Sequence, residues 1–244
     1  MGTKEDLVPR LRAMTARALL ISGAGRYADP WHPFARTSAA VAEILTEAGL
    51  GVEIVEDVDD ALAGLTECAA DLVVLNIGDP RGPRPANAVA EAPDPARDER
   101  SRSGLLAHLG AGLPLLALHV SSTSLGHVPE WESILGGIWV PGTTMHPDQG
   151  DAQIEVDTDT HPIVAGVADF EVDDERYSWM RVSPDVRGLA WHEHDGARHP
   201  LLWTHAYGRA RVVYDALGHD ERSYLSPSRA TLVSRSARWL TGDL

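Results

Sequence analysis

The sequence predicts an α/β protein built on a mostly parallel β-sheet. Three segments of strand length, Ala18 to Ser22, Val52 to Val55 and Leu72 to Asn76, are largely apolar, which is typical of strands buried on both faces. Apolar residues at helical spacing from Ala39 to Ala48 and from Ala61 to Ala69 separate them. This β-α-β-α-β order predicts a doubly wound sheet with helices on both faces.

The segment from Gly78 to Asp98 contains five prolines and many charged residues. Proline removes a backbone donor and fixes φ, so this composition predicts an exposed loop that could act as a mobile lid. A helix is expected from Leu105 until about Gly110. Leu113 to Leu118 then predicts a fourth buried strand, which runs directly into His119.

The second half of the sequence changes character, because its strands alternate between apolar and polar residues. Such alternation is typical of strands with one solvated face, and a glycine between two of them predicts a hairpin around Gly208. An amphipathic helix closes the chain. The expected strands are Gln153 to Val156, Val186 to Trp191, Leu201 to Thr204 and Arg211 to Tyr214, and the expected helix is Ser226 to Leu240.

Composition bounds the domain count and the partners. The chain has 244 residues and a formal net charge of -15, so we expect one domain, residues 18–244, with an acidic surface that repels nucleic acid and anionic membranes. Residues 1–17 carry charges but no apolar run, which predicts a flexible arm rather than a signal peptide or membrane span. The single cysteine, Cys68, excludes an intramolecular disulfide or a Cys-rich zinc site and favours a cytoplasmic setting.

Four histidines stand where functional groups gather in such sheets, beyond the carboxyl ends of strands. His32 follows the first strand, His119 the fourth and His219 the last, while His146 lies in a later loop. Histidine can act as base, acid or metal ligand near neutral pH. A loop histidine is often only a surface or capping group, so convergence of these side chains would decide between the two interpretations.

Seven short segments together resemble the ThuA-like (trehalose utilisation) family in order and spacing, and they span Leu19 to Leu240. The resemblance implies a flavodoxin-like, class I glutamine amidotransferase-type fold. It also implies a role in the metabolism of a disaccharide or keto-sugar. The segments are Trp31-His32-Pro33-Phe34, Ala117-Leu118-His119, Leu135-Gly136-Gly137, His161-Pro162-Ile163, Asp173-Asp174-Glu175-Arg176-Tyr177, Trp203-Thr204 with Tyr207-Gly208, and Leu217-Gly218-His219.

Compared with glutamine amidotransferases, the sequence lacks the nucleophile. Those enzymes carry a cysteine on a sharp strand-to-helix turn and activate it with a later His-x-Glu pair. Here His119 occupies that turn, although His219-Asp220-Glu221 retains the His-x-Glu pattern. Cys68 precedes the third strand and is expected at the opposite edge of the sheet. The sequence therefore predicts that the chain is not a glutaminase.

An enzyme built on these residues would use His119 or His219 as general base or acid, with Glu175 orienting a histidine or accepting a proton. Glu175 is singled out by the family resemblance. Serine hydroxyls at a helix start can bind an anion or a sugar oxygen, and tryptophan faces suit sugar rings, although capping and core packing explain such residues equally well. The expected substrate-binding residues are His32, Trp31, Ser121, Ser122, His146 and Trp179.

A second version of the enzyme hypothesis places a divalent metal ion such as zinc between histidines and Glu175, with His119, His146 and His219 as its histidine ligands. A rival from another class is a non-catalytic sugar-binding or scaffolding protein that kept the fold. In either case the expected partner is a small carbohydrate, and a homo-oligomer is left open. Three imidazoles and a carboxylate within proton-transfer reach would favour the enzyme.

Overall fold

The strands of the described chain form one large sheet and one small one. In the computed structural model, residues 16–86, 92 and 94–244 are described. The strands are β1 (Arg17–Ser22), β2 (Gly51–Val55), β3 (Leu72–Asn76), β4 (Leu115–Leu118), β5 (Gly137–Ile138), β6 (Gly150–Val156), β7 (Phe170–Asp174), β8 (Arg181–Val182), β9 (Arg187–His194), β10 (Ala197–Tyr207) and β11 (Ala210–Asp215).

Among these residues the large sheet has nine strands, in the order β2-β1-β3-β4-β11-β10-β9-β6-β7. The first five are parallel to one another, and the last four continue the sheet by antiparallel pairing. Every residue of β3 and β4 is buried, as expected for central strands covered on both faces. β5 and β8 form the separate two-stranded sheet.

Five α-helices of the described chain flank the sheet: α1 (Phe34–Glu47), α2 (Val58–Ala63), α3 (Pro95–Gly110), α4 (Trp131–Leu135) and α5 (Pro227–Thr241). α1 packs against α5, and α2 packs against α3. This is the flavodoxin-like, class I glutamine amidotransferase type of fold, with helices on both faces of the sheet, as the sequence predicts.

The predicted strands are confirmed, although β10 extends beyond the predicted bounds at both ends, and three helices begin earlier than predicted, with α1 starting at Phe34 rather than Ala39. α3 starts at Pro95 because the Asp94 carboxylate caps it, accepting from the backbone N–H groups of Ala96 and Arg97. The proline that indicated a loop thus occupies the first helical turn, where its missing donor does no harm. α2 likewise starts at Val58 after an Asp57 cap.

The predicted loop from 78 to 98 is therefore too long at its carboxyl end. Residues 78–86 have neither helix nor strand, while residues 87–91 and 93 of this prediction lie outside the described residues. The predicted arm also ends too late, because Arg17 already pairs with β2 as the first residue of β1. Residues 1–15 of the arm lie outside the described chain. No helix in the described part is long and apolar enough to cross a membrane.

Candidate functional site

His119 begins a tight turn directly after β4. Its φ of 43° lies in the left-handed region, which is strained for a residue with a side chain and is often found at functional sites. The ring is buried, and its Nδ1 donates to the carbonyl oxygen of Ala216 at 2.6 Å. Because a carbonyl can only accept, this bond assigns a proton to Nδ1 and leaves Nε2 facing the interior of the site.

Nε2 of His119 points to two groups that follow β7. The hydroxyl of Tyr177 lies 3.0 Å away and can donate to it. The Oε2 atom of Glu175 lies 3.5 Å away. The ring of Tyr177 stacks on His119 with centroids 4.5 Å apart, and burial raises the pKa of its hydroxyl well above the usual value. Tyr177 therefore stays protonated and acts as a donor near neutral pH.

Glu175 is the centre of the site. Besides His119, its carboxylate lies 3.2 Å from Nδ1 of His219 and 3.5 Å from Nδ1 of His146. Burial by itself would raise the pKa of Glu175, but the neighbouring His119 and His219 rings outweigh it and hold the pKa well below its usual range. Glu175 is thus ionised. Burial would lower the pKa of His219, but Glu175 reverses this and raises it, so the two form an ion pair.

His219 is positioned by the backbone that follows β11. The Asp174 carboxylate accepts from the backbone N–H groups of Gly218 at 2.8 Å and His219 at 3.0 Å. Gly218 has a φ of 117°, and a Cβ atom there would collide with the hydroxyl of Tyr224. Only glycine fits this turn without strain. Nδ1 of His219 is near Glu175 but lacks hydrogen-bond geometry to any described partner, so the attraction between them is that of charges at close range.

His32 enters from the loop after β1. The carboxylate of Asp29 accepts from the backbone N–H groups of Trp31 and His32 and also binds Nδ1 of His32 at 2.7 Å. Burial lowers the pKa of His32, and Asp29 opposes this only in part. The ring is therefore neutral, with its proton on Nδ1. Its Nε2 atom is buried and has no hydrogen-bond partner among the described residues.

The four groups converge. One ligand atom from each of His32, His119, Glu175 and His219 can be chosen so that all four lie within 4.8 Å of one another. Imidazole nitrogens and a carboxylate oxygen are a donor set that suits zinc and similar divalent ions. The side chains predicted to converge at the carboxyl edge of the sheet, His119, Glu175 and His219, do lie together, although they come from three separate parts of the chain.

His146 does not belong to this group, which corrects the predicted set of metal ligands. Its side chain is more than one-third exposed, and its Nδ1 also lies 2.9 Å from the carbonyl oxygen of Pro147. Its ring lies at the rim, near Trp139 and Tyr177. His32, rather than the predicted His146, is the third histidine of the group.

Ser121 and Ser122 do not line a binding surface, contrary to prediction. Both are fully buried. The hydroxyl of Ser121 donates to the carbonyl of Leu75 at 3.0 Å and accepts from the N–H of Ile77 at 3.2 Å, so it joins β3 to the turn after β4. Ser122 makes its hydroxyl contact with the His119 carbonyl. Both serine side chains therefore face the core rather than the cleft.

A cleft of about 440 Å³ adjoins the cluster. Trp31, whose side chain is 57 % exposed, and Trp139 line it together with aliphatic side chains, and His32 lines both the cleft and the cluster. Trp179 is absent from its walls, in contrast to the prediction, because its ring packs on His199 with centroids 4.5 Å apart.

Three further residues of the site escaped the sequence analysis. Trp139 packs against Tyr177 at the cleft, Tyr177 contacts His119, and Asp29 orients His32. Two signals were present: Tyr177 lies in a segment that resembles the family, and Asp29 stands three residues before His32, the spacing at which a carboxylate can bind both the backbone and the side chain of a turn.

Fold and site define a class of protein: an α/β domain of the glutamine amidotransferase type in which histidine occupies the turn after the fourth strand. More particularly, the chain belongs to the ThuA family, whose profile, described as trehalose utilisation, matches residues 17–240. No curated protein matches the chain in sequence.

Solved structures agree with this assignment. A ThuA-like protein from Parabacteroides merdae is similar with a TM-score of 0.72 and 20% identity, over 93% of this chain and 90% of that one. A ThuA-like protein from Bacteroides uniformis has a TM-score of 0.70 and 16% identity, over 96% and 95%. PurLQS from Thermotoga maritima gives 0.54 and 11%, over 93% of this chain and 100% of that one. At such identities the likeness concerns the fold.

Proposed function

We propose that this chain is an enzyme of carbohydrate metabolism that performs acid/base chemistry on a disaccharide or a keto-sugar and has no glutaminase activity. The observation that carries the proposal is the convergence of His119, Glu175 and His219, with His32, beside an aromatic cleft. A non-catalytic binding protein gains nothing from holding three imidazoles and a carboxylate within proton-transfer reach.

The protonation states support complementary roles. His119 is held with its proton on Nδ1, so its Nε2 lone pair can accept a proton from a substrate hydroxyl or from carbon beside a carbonyl. His219, with its pKa raised by Glu175, can supply a proton. Burial lowers the pKa of the neighbouring His32, whereas Glu175 raises that of His219, and groups whose pKa values are pushed apart in this way can provide a base and an acid in one site. Hydrolysis, elimination and isomerisation of an oxidised sugar all need such a pair.

The cleft supports a sugar as substrate. Trp31 and Trp139 present aromatic surface in its walls, and the apolar faces of pyranose rings pack against such surface while their hydroxyls seek polar groups. The volume of about 440 Å³ lies within the range of small-molecule sites. The family description, trehalose utilisation, points to the same class of ligand. The chain would work in the cytoplasm on a diffusible carbohydrate, without nucleic acid or membrane.

The test is turnover of trehalose and of its ketone-bearing oxidation products by the purified chain, followed by NMR of the sugar. We expect the ketone-bearing sugar to be consumed and Glu175→Gln to lower kcat at least 100-fold, within the roughly 10²–10⁴ range of acid/base catalysis. His194→Gln, a change in a histidine outside both the cluster and the cleft, is the matched control with unchanged turnover. Saturable sugar binding without any turnover would instead support the non-catalytic rival.

A further inference from the structure

We propose that His32, His119, Glu175 and His219 form a binding site for one divalent transition-metal ion such as Zn²⁺. The ligand atoms are Nε2 of His32, Nε2 of His119, Nδ1 of His219 and a carboxylate oxygen of Glu175. The inference concerns the site of the proposed function and rests on that function only for the catalytic use of the ion, because the ligand geometry stands without it.

Unsatisfied nitrogen atoms are the first observation. Nε2 of His32 and Nδ1 of His219 are both buried, and neither has a hydrogen-bond partner in the described part of the chain. A buried polar atom without a partner is destabilising, and most such atoms in folded proteins are satisfied. Nδ1 of His219 has only the close carboxylate of Glu175 at 3.2 Å, and Nε2 of His32 has no partner among the described residues. A cation held between these groups would satisfy both nitrogens.

The tautomers are the second observation. Nδ1 of His32 is bound by the Asp29 carboxylate at 2.7 Å, and Nδ1 of His119 by the Ala216 carbonyl at 2.6 Å. Metal-binding histidines characteristically donate their second ring N–H to a carboxylate or a backbone carbonyl, which fixes the ring and turns the other lone pair to the ion. Here a carboxylate supports His32 and a backbone carbonyl supports His119. In each ring, Nε2 is the nitrogen left to face the cluster.

The spacing is the third observation. Tetrahedral ligands about 2.0–2.1 Å from zinc are about 3.3 Å from one another. Oε2 of Glu175 lies 3.2 Å from Nδ1 of His219 and 3.5 Å from Nε2 of His119. Both distances already match this ligand-to-ligand separation. The widest separation in the group is at most 4.8 Å, so closure needs only side-chain movements of about an ångström.

The site also has an open side. His32 lines the aromatic cleft as well as the cluster, so the ion would lie at the floor of the cleft, within reach of a sugar oxygen. Four protein ligands would bind an ion firmly, and expansion to a fifth ligand would admit the substrate. With the ion bound, His119 and His219 would be ligands rather than base and acid, and the ion would polarise a ketone or hydroxyl oxygen beside the hydroxyl of Tyr177.

The test is metal binding by the full chain after treatment with a chelator. We expect Zn²⁺ to bind with one equivalent per chain in calorimetry, and Co²⁺ to give the intense visible absorption of a four- or five-coordinate site. His32→Gln and Glu175→Gln should each weaken Zn²⁺ binding at least 100-fold. Asp29→Asn removes the negative charge behind His32 but keeps an acceptor oxygen for its Nδ1–H and for the backbone, and should weaken Zn²⁺ binding by about tenfold.

Two histidine variants serve as controls. His146→Gln, next to Glu175 but outside the group, and His194→Gln, outside both the group and the cleft, should change Zn²⁺ affinity less than threefold. A chelator-treated wild-type chain that binds neither ion at micromolar concentration overturns the proposal, and this result needs no variant to fold. The proposal is also overturned if His146→Gln loses most of its Zn²⁺ affinity while His32→Gln keeps full affinity.

The outcomes separate this proposal from the proposed function. Sugar turnover by a chain that binds no metal would refute the metal site and support acid/base catalysis alone. Stoichiometric Zn²⁺ binding by a chain without turnover would support the metal site and count against the enzyme.

Discussion

The buried ion pair between Arg229 and Asp215 makes a quantitative prediction about the stability of the loop that carries His219. Arg229 lies in α5 and is fully buried, and its Nη1 atom is 2.6 Å from Oδ2 of Asp215 at the end of β11. Its Nη2 atom donates to the carbonyl of Leu217 at 3.0 Å. Arg229→Met keeps most of the side-chain volume but leaves the carboxylate and the carbonyl without this partner.

We expect Arg229→Met to lower the free energy of unfolding by about 3–5 kcal/mol at pH 7, the range for a buried pair that loses one member. In a chain of this size that is roughly 6–20 °C in the unfolding midpoint. Burial already raises the pKa of Asp215, so the unpaired carboxyl would take up a proton, and the loss would be smaller near pH 4 than at pH 7.

Urea unfolding followed by circular dichroism measures this loss. Arg238→Met, in the same helix, is the matched control, because Arg238 is partly exposed and its side chain donates to the carbonyl of Asp243 at 2.8 Å. It should change the unfolding free energy by less than about 0.5 kcal/mol. In Arg229→Met/Asp215→Leu both charges are gone, and much of the stability should return. A loss below 1 kcal/mol in Arg229→Met would refute the reasoning.

Three other predictions follow from the same contacts. Gly218→Ala should destabilise by about 1–3 kcal/mol in thermal unfolding, because φ is 117° and a Cβ meets Tyr224; equal stability would contradict this. Ammonia release from glutamine should be undetectable, and Cys68→Ser should change nothing; Cys68-dependent release would overturn the assignment. Burial would raise the pKa of Asp59, but Arg26 and other partners lower it. Its contribution is therefore present above about pH 4 and lost as pH falls through the lowered pKa, so Asp59→Asn should flatten this part of the pH dependence of unfolding free energy.

Sequence patterns could predict the central strands and the convergence of the site, because both follow from a simple geometric rule. Buried parallel strands read as apolar runs, and their carboxyl ends share one edge of the sheet. His119 and His219 follow β4 and β11, which are neighbours. Strand periodicity and chain order are therefore enough to place these two side chains together.

The choice between His32 and His146 could not be made in this way. Both stand in loops next to a proline, so position alone gives them equal weight. The decision depends on a side-chain contact, the bond from Asp29 that turns His32 inward, and on the exposure of His146 at the rim. The sequence also could not show which way Ser121 faces, because the short turn after β4 directs its hydroxyl to β3 rather than to the cleft.

The His-x-Glu pattern His219-Asp220-Glu221 is present in the sequence, but its histidine and glutamate are not paired with each other in the structure. Glu221 would be the carboxylate that orients the histidine in a cysteine-based amidotransferase. Here its Oε1 atom pairs with Arg36 at 2.9 Å, while His219 is paired with Glu175. The carboxylate partner of His219 is therefore Glu175, from the segment after β7, and not Glu221 from its own loop.

This exchange changes what the turn after β4 can do. In a cysteine-based amidotransferase the sharp turn exposes the thiolate, and one histidine activates that thiolate. The turn keeps its left-handed backbone at His119, but the residue there bonds through Nδ1 to the neighbouring Ala216 backbone and through Nε2 to the centre of the cluster. At His119 the left-handed turn directs an imidazole nitrogen, rather than a thiolate, into the site. Nε2 of His119 is met by the hydroxyl of Tyr177 at 3.0 Å, so a substrate proton or a metal ion at this atom would take the place of that contact.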